Sequence, residues 1–345
     1  MSPPRLNKRE FLERAIIVLV VALVPVLVWF LFDVILVAVG AIIVAILLRL
    51  IAEPFASWGK LPQWSALTIS GAIVVGAVGG AAYLFGTQID AEMSDVLQRA
   101  ATATTTLTTR LQGSEIGKIL LSHIQGGGGF SIPNLLTRLF SVSATFVGAL
   151  VVTVVAGFYL AAQPELYRSG LAKLFPHEWR DRVNESIDDI GQGLRLWLIG
   201  ELLQMIMVGV LSTAAVWSIG LPSPLALGVI AGLAEFIPYL GPIIAAVPAV
   251  LVAVTKGGNA AIWTVLAYLL IHQIEGNLIA PLIQRRMVYI PPAVMLLGLV
   301  IILFLFGGVS LIFAGPITVM AFIAIKKLYV RDSLGEETFL PGESA

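Results

Sequence analysis

The sequence predicts an all-α, polytopic integral membrane protein of about eight transmembrane segments, including broken or re-entrant helical hairpins. Three observations carry that expectation. Hydrophobic residues make up 58% of the 345 and charged residues only 12%, where soluble domains carry about a quarter charged. The apolar residues gather in successive runs of spanning length, with a mean hydropathy of +0.95. Basic residues punctuate those runs on alternate sides, as orientation in a bilayer requires. The remaining composition narrows the functions. Zero net charge removes any argument for a nucleic-acid partner, and the absence of cysteine excludes disulfides and thiolate metal sites. His123, His177 and His272 lie far apart in sequence, so neither a metal nor a cofactor is expected. No phosphate-cradling Gly-x-x-x-x-Gly-Lys loop is present, which leaves an ion gradient or a partner to supply any energy.

In order along the chain, Arg5, Lys8, Arg9 and Arg14 precede an apolar run over 15–32. No small-residue cleavage site follows, and a second run over 34–48 begins at once, so these read as two spans and not as a leader. A cytoplasmic loop (49–63) holds Glu53, Pro54, Trp58, Lys60 and Pro62. The third span, 66–85, carries Gly71, Gly76, Gly79 and Gly80, a pattern expected to pack closely through small faces. Residues 87–138 form a polar extracytoplasmic insertion. There Leu97, Ala100, Thr104, Leu107 and Leu111 recur at helical spacing, predicting a helical cap over the membrane domain or against a neighbouring protomer.

A fourth span, 140–162, returns to the cytoplasm. Trp179, Val183, Ile187, Ile190 and Leu194 then form an apolar stripe, read as a helix on the inner membrane surface or beneath the bundle. The fifth span, 196–219, places Glu201 and Gln204 three apart on one face.

The next apolar run, 225–254, is interrupted by Glu235-Phe236-Ile237-Pro238-Tyr239-Leu240-Gly241-Pro242. One helix over those residues would be about 45 Å long against roughly 30 Å of hydrocarbon. Two prolines lack donors, and Gly241 is free to take left-handed angles, so the chain is expected to turn there. Backbone of that kind lies at membrane depth only inside protein or along a wet cavity, and in transporters it marks the substrate site. The plainer alternative is a Pro-kinked packing helix with Glu235 snorkelling.

A sixth span, 260–280, carries His272, Gln273, Glu275 and Asn277 at its inner end, before Pro281, Arg285 and Arg286. The last run, 293–325, is again too long for one helix and is expected to break at Gly307-Gly308. Sixteen of the 21 Lys/Arg fall in segments assigned to the cytoplasm, which places both termini inside. The broken segments then open to opposite faces, unless either or both are full two-span hairpins. Residues 1–86 read as a three-span scaffold, 87–138 as the insertion and 139–196 as the fourth span with its inner helix. Residues 197–331 read as a transport core with broken hairpins over 225–255 and 293–325, and 332–345 as a cytoplasmic tail.

Glu235 is the leading functional candidate, because a carboxyl group at that depth is paired, protonated or exposed to a wet pathway. Carrying a coupled ion is the role expected of it. Pro238, Tyr239, Gly241, Pro242, Glu275, Asn277 and Pro281 complete the expected pathway. Glu201, Gln204, His272, Gly307 and Gly308 are secondary candidates, with His272 read as a packed or interfacial residue.

Residues 235–242, followed by Pro248-Ala249, resemble the signature of the autoinducer-2 exporter (AI-2E) family of bacterial permeases. The stretch Glu275-Gly276-Asn277-Leu278-Ile279-Ala280-Pro281-Leu282-Ile283 is similar to its second motif. The Gly307-Gly308 helix and Tyr329-Val330-Arg331-Asp332 fit as well. Arg285-Arg286 departs from the pattern, since family members often carry glycine there. The resemblance implies a homo-oligomeric transporter of the bacterial inner membrane with a mobile hairpin region, and roles ranging from export of a furanone signal to sodium or lithium/proton exchange.

The expected function is export of a small polar solute or signal with ion coupling, with sodium or lithium/proton exchange as runner-up. From another class, a scaffold or accessory subunit without flux would use the insertion and inner helix as docking faces. No Gly-x-Ser-x-Gly or His-Glu-x-x-His motif is present to support an enzyme.

Overall fold

A computed structural model describes residues 29–57, 59–84, 144–284 and 290–339, with positions 23, 27 and 102. The N-terminal basic segment, most of the first span, the 87–138 insertion apart from position 102, Arg285-Arg286 and the end of the tail lie outside the described residues. Among the described residues every element is helical. Four helical runs are long and apolar enough to cross a membrane, Phe32–Ser57, His177–Ile219, Ala260–Leu282 and Leu311–Arg331. A bent pair brings the number to five, and four shorter apolar helices accompany them.

Helices α1 (Phe32–Ser57), α2 (Gln63–Leu84) and α3 (Ala144–Ala162) pack around buried Ala45, Leu48, Ala52, Ala66, Leu67 and Ala161. Lipid tails are as apolar as these side chains, so the helices associate by close fit and not by exclusion of water. The fit is made by glycines other than those expected. A Cβ on Gly157 would stand 2.7 Å from Val44, and one on Gly40 would stand 2.8 Å from Thr153. Gly71 has only ordinary contact with Phe158 and Gly76 has none. Small residues in a span thus mark a packing face only when another helix lies opposite.

At Gln163 the chain turns through 90° into α4 (Pro164–Ala172), and after a 3-10 turn (His177–Trp179) it enters α5 (Arg180–Ile219). Here the sequence reading needs correction. The apolar stripe over 179–194 is not a separate helix on the membrane surface, because it continues without a break into the fifth span. The 40-residue α5 is about 60 Å long, so its N-terminal third stands beyond any bilayer. Residue 195 carries no helix-breaking signal. The short helix set across the spans is α4.

The long apolar run divides as expected, into α6 (Pro224–Ala234) and α7 (Gly241–Lys256), about 16 and 24 Å long and each short of the hydrocarbon thickness. Helices α5 and α6 approach backbone to backbone, since a Cβ on Gly232 would lie 2.7 Å from the Met205 carbonyl and one on Gly228 2.8 Å from that of Gly209. The break itself is built differently from the expectation. Tyr239 takes the left-handed conformation (φ 63°), a costly one for a side chain of that size. Gly241 is required instead for close approach, because its Cβ would meet the Ala234 carbonyl at 2.6 Å and Glu235 Cα at 2.8 Å.

Helix α8 (Ala260–Ile274) runs through a π turn (Glu275–Ile279) into α9 (Ala280–Gln284). Pro281 has no N–H to offer the Asn277 carbonyl, so an ordinary helical pattern would lose a bond there. The π turn takes up the irregularity, with the Ala280 amide bonding five residues back to Glu275. Helices α10 (Pro292–Phe306) and α11 (Leu311–Ala324) form the second broken segment. Gly307 at its break has φ 83° and ψ −178°, a region open to glycine alone. The two breaks meet: Ile237 and Leu240 of the first pack with Leu299, Ile302, Phe306, Leu311 and Ala314 around the second.

Charged contacts gather at one end. Arg195 pairs with Glu53, Arg49 donates to the Ala161 carbonyl, and Arg168 pairs with Asp188. Buried Lys327 lies 3.2 Å from Glu185 and 3.6 Å from Asp332, which also pairs with Arg182. These contacts join residues 49–53, 161–195 and 327–332 at one end of the bundle. At the other end, Lys256 Nζ donates to the carbonyls of Ile219 and Gly220, complementing the negative pole where α5 stops.

Candidate functional site

Where α5, the first break and the α8–α9 bend converge, a cleft of about 450 Å³ opens beside Trp197, Glu201, Gln204, Glu235, Pro238, Tyr239, Pro242, His272, Glu275 and Pro281. Each contributor is set by its backbone. Trp197, Glu201 and Gln204 lie three and four apart on α5, which turns them to one face. Glu235 follows the last turn of α6, so the break carries its carboxyl group away from the helix and into the cleft. His272 and Glu275 are three apart across the start of the π turn.

The polar groups converge closely. One ligand atom each from Glu235, His272 and Glu275 lies within 4.8 Å of the other two. His272 Nδ1 is 3.2 Å from Glu275 Oε2, within hydrogen-bond reach. The His272 ring lies beside buried Tyr268, with ring centroids 6.3 Å apart. Glu235 is 4% exposed, and its Oε2, like His272 Nε2, is buried without a hydrogen-bond partner. Glu201, 6% exposed, interacts electrostatically with both other carboxyl groups. Among the described residues no lysine or arginine lines the cleft. Three acids and an imidazole thus face one another with no fixed counter-charge, and a mobile proton or cation is what relieves such an arrangement.

Of the sequence candidates, Glu201, Gln204, Glu235, Pro238, Tyr239, Pro242, His272, Glu275 and Pro281 border the cleft. Gly241 lies behind it as a packing requirement. Asn277 is exposed and donates to the Gln273 backbone and side-chain oxygens, both at 3.0 Å. Gly307 and Gly308 form the second break, outside the cleft. Trp197, Gly200, Gly276, Ala280, Ile290, Pro292 and Met295, which were not among the sequence candidates, complete the lining. Helical spacing from Glu201 back to Trp197 was a usable signal, as was the His272-x-x-Glu275 pair. No spacing relates either to Glu235 or to Met295.

A larger depression of about 690 Å³ near Ile219 and Trp263 has one ionisable group, Lys256, already committed to the end of α5. It brings no reactive groups together.

The sequence profile described as AI-2E family transporter matches residues 16–330. The Bacillus subtilis protein YrrI is 36% identical over 161 residues, covering 47% of this chain and 46% of YrrI. YueF of the same organism is 27% identical over 220 residues, covering 62% and 59%. The chain therefore spans about half the length of these two relatives. The AI-2 transport protein TqsA of Escherichia coli is 24% identical over 299 residues, covering 83% of this chain and 84% of TqsA. With the profile extending over nearly its whole length, the chain belongs to the AI-2E transporter family.

Proposed function

We propose that the protein is an ion-coupled secondary transporter of a bacterial inner membrane, exporting a small polar solute or signalling molecule, and that the cleft at the first break is its ion-coupling site. One observation carries the reading: Glu201, Glu235, His272 and Glu275 converge, without a fixed cation among the described residues, on a helix break between membrane helices. Carboxyl groups placed there exchange protons with whichever side the cleft faces. The moving part is residues 197–331, working against the scaffold of residues 1–86, with both termini cytoplasmic and the protein assembled as a homo-oligomer. The AI-2 named for TqsA is the first solute to try. Sodium or lithium/proton exchange gains little support. A hard alkali cation favours an oxygen cage, and the Pro238 carbonyl at the break already accepts the Leu240 amide at 2.8 Å.

The test is uptake of AI-2 into everted membrane vesicles under an imposed pH gradient. Accumulation that a protonophore abolishes is the expected result. Accumulation equal to that of vesicles lacking the protein, across a panel of small polar solutes, would contradict it and favour an accessory role.

A further inference from the structure

Two carboxylates and an imidazole are a different ligand set from the one an acid relay needs. Glu235 and Glu275 each offer an oxygen and His272 a ring nitrogen, all within 4.8 Å. Binding distances near 2.1 Å place neighbouring ligand atoms roughly 3 Å apart, so the group needs only to close slightly around an ion. Mixed carboxylate and imidazole donors suit first-row divalent cations such as Mn²⁺, Fe²⁺ and Zn²⁺. An alkali ion gains nothing from the nitrogen.

We infer that Glu235, His272 and Glu275 form a binding site for a first-row divalent metal cation. The cluster does not stand on its acids alone, because Glu235 is 4% exposed and its Oε2 has no partner, and the buried His272 Nε2 has none either. Both atoms are left unsatisfied where burial makes that costly. Glu235 also follows the C-terminal end of α6, whose partial negative charge favours a cation. Two carboxylate ligands and one divalent cation sum to zero, so a bound ion compensates the charge that Glu235 and Glu275 can bring to the cluster. This inference names the ion for the site proposed above and so rests on that reading, but binding tests it without any flux.

The experiment titrates the full chain in lipid nanodiscs with Co²⁺ and then Zn²⁺, following Co²⁺ visible absorption. One Co²⁺ per chain, displaced by Zn²⁺, is the expected result. Glu235→Gln and His272→Gln are each expected to weaken binding by on the order of 100-fold. The distant Lys256→Gln is expected to retain it. Co²⁺ binding that is not saturable, or that survives His272→Gln unchanged, would overturn the inference. Proton-coupled solute flux in a protein that binds no divalent cation would overturn it while leaving the transport proposal standing. Specific binding without flux of any solute would support it and remove the transport proposal.

Discussion

Gly241→Ala adds one methyl group at the first break and is expected to disturb the site without touching a polar atom. The added carbon would stand 2.6 Å from the Ala234 carbonyl oxygen, 2.9 Å from its carbon and 2.8 Å from Glu235 Cα. All three are backbone atoms, so no side chain can swing aside. Reaching ordinary contact at 3.4 Å requires residues 234–235 to retreat by about 0.5–0.8 Å. Overpacking of that kind costs about 1–3 kcal/mol. It also carries the Glu235 carboxyl group away from His272 and Glu275 by a similar distance, and misplacement near 1 Å costs up to about 100-fold in rate. A loss of roughly tenfold in coupled flux is the expected effect. Gly241 is not left-handed, so packing is the only mechanism available. Gly191→Ala is the control, since nothing lies within 4 Å of its Cβ position and alanine favours the helix by about 0.5–1 kcal/mol. Thermal unfolding in detergent and flux in proteoliposomes read both effects. A Gly241→Ala protein matching wild type in midpoint and flux would refute the steric argument.

Gly232→Val is expected to destabilise the protein by more than 2 kcal/mol, on the order of a severe overpacking, because its Cβ position lies 2.7 Å from the Met205 carbonyl; detergent melting checks this. Lys327→Met leaves Asp332 with Arg182 alone and removes a cation buried to 7% exposure, an expected loss of about 2 kcal/mol. Arg195→Ala removes an exposed pair with Glu53 and is expected to cost under about 1 kcal/mol. The contrast between those two variants in one melting series tests whether burial, and not ion-pair number, sets the strength of the charged end.

The parts of this fold legible in the sequence were those governed by local chemistry. Prolines and glycines announced both breaks, because missing donors and permitted backbone angles act on the residues that carry them. Hydropathy announced the apolar helices found among the described residues. Packing faces were not legible in this way. The third span's Gly71 and Gly76 are tightly opposed by nothing, whereas Gly40, Gly157, Gly209 and Gly232 lie against other helices, and only the assembled bundle decides which glycines are needed. Continuity of α5 across residue 195 was hidden because a change from basic to apolar composition resembles a boundary even where the backbone continues. At the site, Glu235 stood out as a lone acid in an apolar run. Its conjunction with His272 and Glu275 did not, because His272 lies 37 positions further along the chain, beyond one whole helix and near the end of the next. The left-handed Tyr239 escaped notice beside Gly241, which looked the easier residue to turn.

The most direct test of the central claim is proton movement by purified protein in proteoliposomes, read with an entrapped pH dye after a solute or cation jump, for wild type and Glu235→Gln. The account expects wild-type flux that Glu235→Gln abolishes while its melting curve stays near that of wild type. Equal proton flux in the two proteins would contradict it, because the cleft would then not be the ion path.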